Sequence, residues 1–305
     1  PTRVKQANKY EIPDMTSPGT LFCFGLGYSA MALSRRLDAA GWTIRGTCRK
    51  PARKAALGAL GISAALFDGD TPMDPADLLQ GATHVLLSIP PGAEGDPAFR
   101  QHAQDIAAVG TVKWVGYFST TGVYGNRDGD WVDETSDLRP GNERSQRRVD
   151  AERDWLSWGD RHGISVQIFR LPGIYGPGRS AVDQVKAGTA RRISKPGHVF
   201  SRIHVEDIAT TVAASIARAQ PGGIYNVCDD EPAAPGDVVA YVCELLSREP
   251  PPEIPYNEAD MSPMAKSFWS DNRRVRNDRM KEELGVRLDF PDYRIGIRGI
   301  LGLGG

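Results

Sequence analysis

The residue spacing with the clearest chemical meaning begins at Gly25. Gly25, Gly27 and Ala30 follow the pattern G-x-G-x-x-A. In such a pattern the first glycine allows a tight turn, the second lets an anion approach the backbone, and the alanine lets a helix pack on the preceding strand. Amides at the start of that helix, here those of Tyr28 and Ser29, lack helical partners and can bind phosphate. The pattern therefore predicts a site for the pyrophosphate of a dinucleotide.

Charged residues in the second predicted strand indicate which dinucleotide would bind. No Asp or Glu occurs between Asp38 and Asp68, whereas Arg45, Arg49 and Lys50 occupy the strand and its end. NAD enzymes usually place an acid here for the ribose 2′-hydroxyl, and NADP enzymes place an arginine for the 2′-phosphate. The basic residues favour NADP(H). NAD(H) remains the alternative, because Arg49 and Lys50 could simply be solvated residues at a strand end.

Two further strand ends are candidates for nucleotide contacts. Asp68 ends the third predicted strand and could bond the adenine amino group. Ser88 and Ile89 end the fourth and could flank the ribose. Ligands of parallel α/β sheets bind at the carboxyl ends of the strands, which is where all three residues fall. They could equally be structural strand ends.

Strands and helices must alternate to bring these residues together, and the sequence shows that alternation. Short apolar runs predict strands at Thr20–Phe24, 42–48, 64–68, 84–89, 113–119 and Ser165–Leu171. Helical periodicity predicts helices at 28–40 and 142–159. After Leu171, Gly and Pro become dense, and a helix at Val205–Ala217, a strand at 224–228 and a turn with a helix at 232–246 follow. The order predicts an α/β fold with a Rossmann-type, doubly wound parallel sheet.

Composition excludes several classes of partner. With 305 residues and a net charge of −1, the chain has no electrostatic feature of a nucleic-acid-binding protein. No apolar run approaches the roughly 18 residues of a membrane span. Cys23, Cys48, Cys228 and Cys243 show no metal-ligand spacing, and neither do the five histidines. We therefore expect buried free thiols, no metal site and a cytoplasmic location.

Several later segments share their order and spacing with one enzyme superfamily. They are the hydroxyl-rich residues 118–125, the acid Glu134, Pro140, and residues 169–178, 203–207 and 224–227. Residues 119–125 are Ser-Thr-Thr-Gly-Val-Tyr-Gly, and residues 170–178 are Arg-Leu-Pro-Gly-Ile-Tyr-Gly-Pro-Gly. With these motifs the chain resembles the extended short-chain dehydrogenase/reductase superfamily, which includes NAD-dependent epimerases and dehydratases. The resemblance covers residues 20–301.

The resemblance implies a catalytic set of Ser/Thr, Tyr and Lys. In this superfamily the hydroxyl residue orients the substrate oxygen, the tyrosine transfers the proton, and the lysine lowers the tyrosine pKa and holds the nicotinamide ribose. Thr120 falls on the Ser/Thr position, and Glu152 matches a glutamate of the following helix. Counting back from that glutamate places Arg144 at the tyrosine position and Arg148 at the lysine position. By the same resemblance, Arg148 and Pro172 are expected to contact the cofactor.

The two arginines are a departure from the superfamily pattern. A guanidinium stays protonated, so Arg144 cannot act as a proton donor and base near neutral pH. Arg148 keeps the charge and the donors of a lysine. No tyrosine occurs between Tyr124 and Tyr175, which excludes a Tyr-x-x-x-Lys pair elsewhere on this helix. The chain therefore resembles an atypical branch that keeps the fold and lacks the usual catalytic pair.

Two classes of function remain open at this point. In the first, the protein is an oxidoreductase or epimerase in which another residue acts as the catalytic acid and base. Tyr175, Tyr124 and Glu134 are the candidates for that role, and each of them could instead be structural or bind substrate. The substrate would be a carbonyl compound or resemble a sugar nucleotide. In the second, it is a catalytically silent NADP(H)-binding sensor or scaffold. Arg144 and Arg179 suit either class, as cations facing an acidic substrate or the cofactor phosphates.

The resemblance also implies how the chain is divided. We expect the dinucleotide-binding domain at residues 20–172 and 203–228. A small C-terminal subdomain that covers the substrate, the lid, is expected at 173–202 and 229–305, and residues 1–19 as a flexible tail. The expected partners are a nicotinamide dinucleotide and a small-molecule substrate, with a homodimer as an option.

Overall fold

The computed structural model of the chain describes residues 18–73, 76–218 and 222–303. The strands are β1 (Thr20–Phe24), β2 (Thr43–Cys48), β3 (Ser63–Leu66), β4 (His84–Leu87), β5 (Trp114–Thr120), β6 (Trp131–Val132), β7 (Ser165–Leu171), β8 (Gly173–Tyr175), β9 (Arg192–Ser194), β10 (Arg202–His204), β11 (Ile224–Asn226), β12 (Glu253–Pro255) and β13 (Arg274–Val275). The helices are α1 (Tyr28–Asp38), α2 (Pro51–Gly58), α3 (Pro97–Ala108), α4 (Glu143–His162), α5 (Ala181–Lys186), α6 (Val205–Ala217), α7 (Pro235–Leu245), α8 (Pro263–Trp269), α9 (Asp278–Leu284) and α10 (Tyr293–Leu301). Most of residues 1–19, the expected tail, lie outside the described ranges.

A seven-stranded parallel sheet forms the centre of the protein. Its order is β3-β2-β1-β4-β5-β7-β11, so β1 pairs with β2 on one side and with β4 on the other. The chain order reverses at β1, which makes the carboxyl ends of β1 and β4 the place where a ligand binds in such sheets. The predicted Rossmann-type, doubly wound sheet is confirmed.

Helices cover both faces of the sheet. On one face α1 and α6 pack against each other, and Leu33 and Val212 contribute to the buried cluster there. On the other face α3 and α4 supply Ile106 and Trp155, which are fully buried. Because apolar side chains lie on both sides of the sheet, strands such as β1 and β4 are nearly continuous apolar runs.

The sequence prediction missed the helices α2 and α3, although both have recognisable starts. Each begins with a proline in its first turn, Pro51 in α2 and Pro97 in α3. Asp96 caps α3, because its side chain accepts a hydrogen bond of 2.8 Å from the amide of Phe99. Proline at the first helical position and aspartate at the cap are common helix-start signals.

The residues after β7 that do not join the central sheet form smaller units. β8 pairs with β10, β9 pairs with β12, and β13 pairs with β6. A separate buried cluster joins α5, α7 and α10 through residues such as Val182, Val242 and Ile297. This core fits the expected lid, and the division at residues 173–202 and 229–305 stays a prediction.

Two composition-based expectations can be compared with the structure. All four cysteines are buried free thiols, as expected. Among the described helices, none is both long enough and apolar enough to cross a membrane.

Candidate functional site

The turn between β1 and α1 takes its shape from Gly25 and from a residue on the neighbouring strand. Gly25 has a φ of 91°, a conformation that side-chain-bearing residues rarely adopt, and a Cβ there would lie 2.9 Å from Ile89 Cγ1. Thr47 on β2 accepts a 2.9 Å hydrogen bond from the Gly25 amide through its Oγ1. Its carbonyl accepts another of 2.9 Å from the Leu26 amide. Thr47, which the sequence analysis did not identify, therefore holds the turn in place.

Gly27 and the start of α1 leave room for an anion. Gly27 is exposed, and no heavy atom lies within 4 Å of the position that its Cβ would occupy. No side chain caps the helix, and its first turn contains no acid. Ser29 and Ala30 point into the core, so only the backbone amides of Tyr28 and its neighbours face outward. A pyrophosphate fits this position sterically and electrostatically.

A cleft with a volume of about 770 Å³ extends from this turn along the carboxyl ends of β1 to β4. It brings together six of the predicted cofactor residues: Gly25, Gly27, Arg49, Lys50, Asp68 and Ser88. The cleft also contains Arg53 and Arg100, which the sequence analysis missed. Arg53 lies in the first turn of α2, one helical turn beyond Arg49, so recognition of that helix would have identified it.

The cations of the cleft differ in how they are held. Arg53 donates to the Leu26 carbonyl at 3.3 Å, and Arg100 donates to the Gly69 carbonyl at 2.9 Å. The exposed side chains of Arg49 and Lys50 have no hydrogen-bond partner within the described part of the chain. They are therefore available to a ligand phosphate.

Two other charged residues near the second and third strands have defined partners. Arg45 donates to the Gln80 carbonyl at 2.9 Å and is not part of the cleft. Asp68 lies in the cleft, where the amides of Asp70 and Thr71 bond its carboxylate and lower its pKa. Asp68 is therefore ionised at neutral pH and can accept a hydrogen bond from an adenine amino group.

Thr120 ends β5, and Arg148 contacts the same strand. Thr120 is half-buried, and its Oγ1 accepts a hydrogen bond of 3.1 Å from the Gly122 amide. Its hydroxyl proton is left free to donate to a substrate oxygen. On α4, Arg148 donates through Nη1 to the Tyr117 hydroxyl at 3.1 Å and to the Phe118 carbonyl. Arg148 is thus attached to β5, a contact that the resemblance did not imply.

Arg144 lies at the start of α4, one helical turn before Arg148. It is exposed in the first turn of α4. Its guanidinium carbon lies 5.0 Å from the ring centroid of Phe268 on α8, and 53% of Phe268 is exposed. Within the described ranges no carboxylate pairs with Arg144. The arginine therefore bridges α4 and the lid with its donors facing solvent.

Tyr175 is enclosed by the lid and by α6. Its ring packs edge-on against His204 at 5.2 Å, and its hydroxyl donates to the Asp292 carbonyl at 3.4 Å. A Cβ on Gly296 would lie 2.0 Å from that hydroxyl, so α10 approaches closely. Burial raises the pKa of Tyr175. Pro172, by contrast, is half-buried directly after β7.

Comparisons with known proteins show what this chain is similar to. The model of the NAD-dependent epimerase/dehydratase family matches residues 105–228. A solved structure of a functionally unknown conserved protein from Silicibacter pomeroyi DSS is 50% identical, with a TM-score of 0.86, over 93% of this chain and 98% of that chain. Residues 105–228 of this chain are thus similar to the NAD-dependent epimerase/dehydratase family, as the resemblance predicted. A dTDP-glucose 4,6-dehydratase structure from Bacillus anthracis str. Ames shares the fold, with a TM-score of 0.74 at 13% identity over 94% of this chain and 96% of that chain.

Two further relatives show how far the likeness extends. Protein YeeZ of Escherichia coli (strain K12) is 29% identical over 279 residues, which are 88% of this chain and 95% of YeeZ. The structure of MoeE5 in complex with UDP-glucuronic acid and NAD has a TM-score of 0.72 at 16% identity, over 93% of this chain and 98% of that chain. At that identity the likeness shows a common fold. The match to an NAD-dependent family makes a nicotinamide dinucleotide the expected ligand of the cleft.

The motif residues typical of this family form a buried hydrogen-bond network beneath the site. Arg170 donates to Glu152 at 2.7 Å and to the Tyr124 hydroxyl at 2.8 Å. Tyr124 donates to Asn226 Oδ1 at 2.7 Å, and Ser119 donates to Glu152. Burial raises the pKa of Tyr124 to about 12. These contacts connect β5, α4, β7 and β11, and they give Tyr124 a structural role.

Glu134 belongs to the same region. Its carboxylate accepts a hydrogen bond of 2.7 Å from the backbone amide of Asn226 on β11. Burial raises its pKa above the ordinary glutamate value. Glu134 thus connects the loop after β6 to the sheet, and any role in proton transfer stays a prediction.

Proposed function

We propose that this protein binds NADP(H) in the cleft and presents the nicotinamide to a carbonyl or sugar-nucleotide-like substrate at the end of β5. The pair Arg49 and Lys50 is the observation that carries the proposal. Both side chains are exposed at the cleft and have no hydrogen-bond partner within the described residues. No carboxylate that would repel a 2′-phosphate occurs between Asp38 and Asp68.

The residues near Thr120 suit recognition of a carbonyl group. A bound nicotinamide supplies or accepts a hydride. Thr120 can donate its hydroxyl proton to a substrate oxygen, because the Gly122 amide already occupies an acceptor position of its Oγ1. Arg148 uses Nη1 for β5, and its other nitrogens are available to the ribose hydroxyls. These residues orient and bind, and neither of them exchanges a proton at neutral pH.

Replacement of Arg49 should change the affinity for NADP⁺ and leave the affinity for NAD⁺ almost unchanged. We expect Arg49→Ala to lose about 1.5–3 kcal/mol of NADP⁺ binding free energy, because a charge-assisted hydrogen bond to the 2′-phosphate disappears. NAD⁺ binding should barely change. Isothermal titration calorimetry with both nucleotides measures the difference. Arg45→Ala is the matched control, since Arg45 contacts the Gln80 carbonyl away from the cleft. Equal or tighter binding of NAD⁺ by the unmodified protein would exclude the NADP assignment.

Arg144 is expected to bind an anion and not to transfer a proton. Its fixed positive charge and planar donors suit a carboxylate or phosphate, and its position at the rim of α4 is exposed. We expect Arg144→Ala to weaken binding of an acidic ligand about tenfold and leave NADP⁺ affinity unchanged. Calorimetry with carboxylated and uncarboxylated carbonyl compounds provides the test. Two results together would contradict this role. Arg144→Ala would reduce carbonyl compounds with NADPH as fast as the unmodified protein, and it would bind acidic ligands with the same affinity.

The burial of both tyrosines favours a second candidate, a catalytically silent NADP(H) sensor. Tyr124 and Tyr175 are at most 8% exposed, and each hydroxyl already donates within the protein. Hydride transfer without a nearby proton donor would be slow. Incubation with NADPH and a panel of aldehydes, ketones and sugar nucleotides separates the candidates. Oxidation of NADPH above the protein-free rate supports an enzyme, and tight binding without oxidation supports a sensor.

A further inference from the structure

A tight turn follows β8 and carries an arginine toward the cofactor site. Gly176 and Arg179 exchange two backbone hydrogen bonds, of 3.1 and 3.0 Å. Between them lie Pro177 and Gly178, and Gly178 has a φ of 73°. Proline in the second position and a positive φ in the third are the features of a type II turn. This geometry fixes the backbone from which the Arg179 side chain extends.

The turn docks on the first residue of the phosphate-binding helix. Tyr28 follows Gly27 directly, and its hydroxyl donates to the Pro177 carbonyl at 3.0 Å. The guanidinium carbon of Arg179 lies 5.7 Å from the centroid of the Tyr28 ring. A Cβ on Gly176 would lie 2.5 Å from the Tyr28 hydroxyl, so the close approach requires glycine. Arg179 is thereby held against the side chain of the first residue of α1.

The charge of Arg179 is not neutralised by the protein. Arg179 is exposed, and its side chain has no hydrogen bond or ion pair in the described part of the chain. Glu206 pairs with Arg35 at 3.3 Å and Asp183 accepts a hydrogen bond from Ser180 at 2.6 Å, so neither acid is bonded to Arg179. The first turn of α1 contains no acid either. The donors of this guanidinium are therefore open to an anion at the start of α1.

We propose that residues 176–179 form a strap over the bound dinucleotide, in which Arg179 binds the pyrophosphate on the side opposite the helix amides. The strap rests on the proposed function, since it needs a dinucleotide in the cleft. It adds a contact from outside the glycine turn. It also joins the cofactor site to the expected lid, to which residues 176–179 belong.

The decisive comparison is between ligands with and without a pyrophosphate. Calorimetry on Arg179→Gln should give about tenfold weaker binding of both NADP⁺ and NAD⁺. Adenosine 2′-monophosphate, which lacks the pyrophosphate, should bind with unchanged affinity. Arg287→Gln is the control, since Arg287 is an exposed arginine without a partner among the residues described. Loss of binding in Arg179→Gln with intact binding in Arg287→Gln supports the strap.

Other outcomes overturn the proposal in distinguishable ways. Unchanged dinucleotide affinity in Arg179→Gln rejects the strap alone, and so does an equal loss for adenosine 2′-monophosphate. Failure of the unmodified protein to bind either dinucleotide rejects the proposed function as well. Tyr28→Phe supplies a second test, because it removes the hydrogen bond to Pro177 and keeps the ring. Stopped-flow fluorescence should show NADPH leaving this variant several-fold faster, and an unchanged dissociation rate would contradict the docking of the turn.

Discussion

A valine at position 27 should abolish dinucleotide binding while the protein remains folded. Gly27 has a φ of −88° and a ψ of −165°, an extended conformation that valine adopts readily. Its Cβ position has no neighbour within 4 Å among the described residues, and Gly27 lines the cleft, so a side chain can be added there without a clash at Cβ. The branched methyl groups would occupy the space that a pyrophosphate needs. We expect Kd for NADP⁺ to rise more than about 100-fold, or ~2.7 kcal/mol.

Calorimetry and thermal melting together test this prediction. Gly58→Val is the matched control, because Gly58 is exposed in α2 and its Cβ position is equally free of neighbours. The control should bind NADP⁺ normally. A melting temperature of Gly27→Val equal to that of the unmodified protein would show that the fold persists. Retained NADP⁺ binding in that variant would mean that the cofactor does not contact this turn.

Loss of the Glu152 carboxylate should cause the largest loss of stability. Arg170 and Glu152 are each 3% exposed at the side chain, and they are bonded at 2.7 Å. Removal of one member of a buried pair leaves an uncompensated charge and costs about 3–5 kcal/mol. We therefore expect Glu152→Ala to lower the free energy of unfolding by that amount. Ser119 would also lose its acceptor.

Urea denaturation provides the measurement, and the same helix provides the control. Glu143 pairs with Arg147 one turn along α4, with 87% of the Glu143 side chain exposed. Such surface pairs contribute about 0.3–0.5 kcal/mol, so Glu143→Ala should barely change stability. Similar urea midpoints for the two variants would show that the buried network contributes little. Glu152→Gln should fall between them, since an amide keeps some hydrogen bonds and loses the charge.

Much of the fold was predictable because its signals are local. The bounds of β1, β7 and α6 agree with the sequence prediction, since apolar runs and Gly or Pro residues mark their ends. Gly27, Arg49 and Ser88 meet in one cleft for a related reason. Each follows a strand of a parallel sheet, and the carboxyl ends of such strands share one edge.

The features of the site that the sequence could not predict depend on contacts between distant parts of the chain. The surroundings of Tyr175 could not be read from its neighbours, because its hydroxyl partner Asp292 lies 117 residues away. Arg148 reaches back to the Phe118 carbonyl on β5, a direction that no spacing along α4 encodes. Thr47 holds the glycine turn only because β2 pairs with β1. These features follow from packing, which emerges once the sheet has formed.

The hydrogen bond from the Asn226 amide to Glu134 has a consequence for association between molecules. β11 is an edge strand, and the outward amides of an edge strand can pair with a strand of another chain and seed aggregation. β11 has three residues, and the Glu134 carboxylate occupies the outward amide of Asn226. Strand addition at this edge would therefore have to displace a half-buried carboxylate. The opposite edge, β3, carries Leu66 with 38% of its surface exposed and has no such block among the described residues. Any sheet-to-sheet association of this protein would begin there.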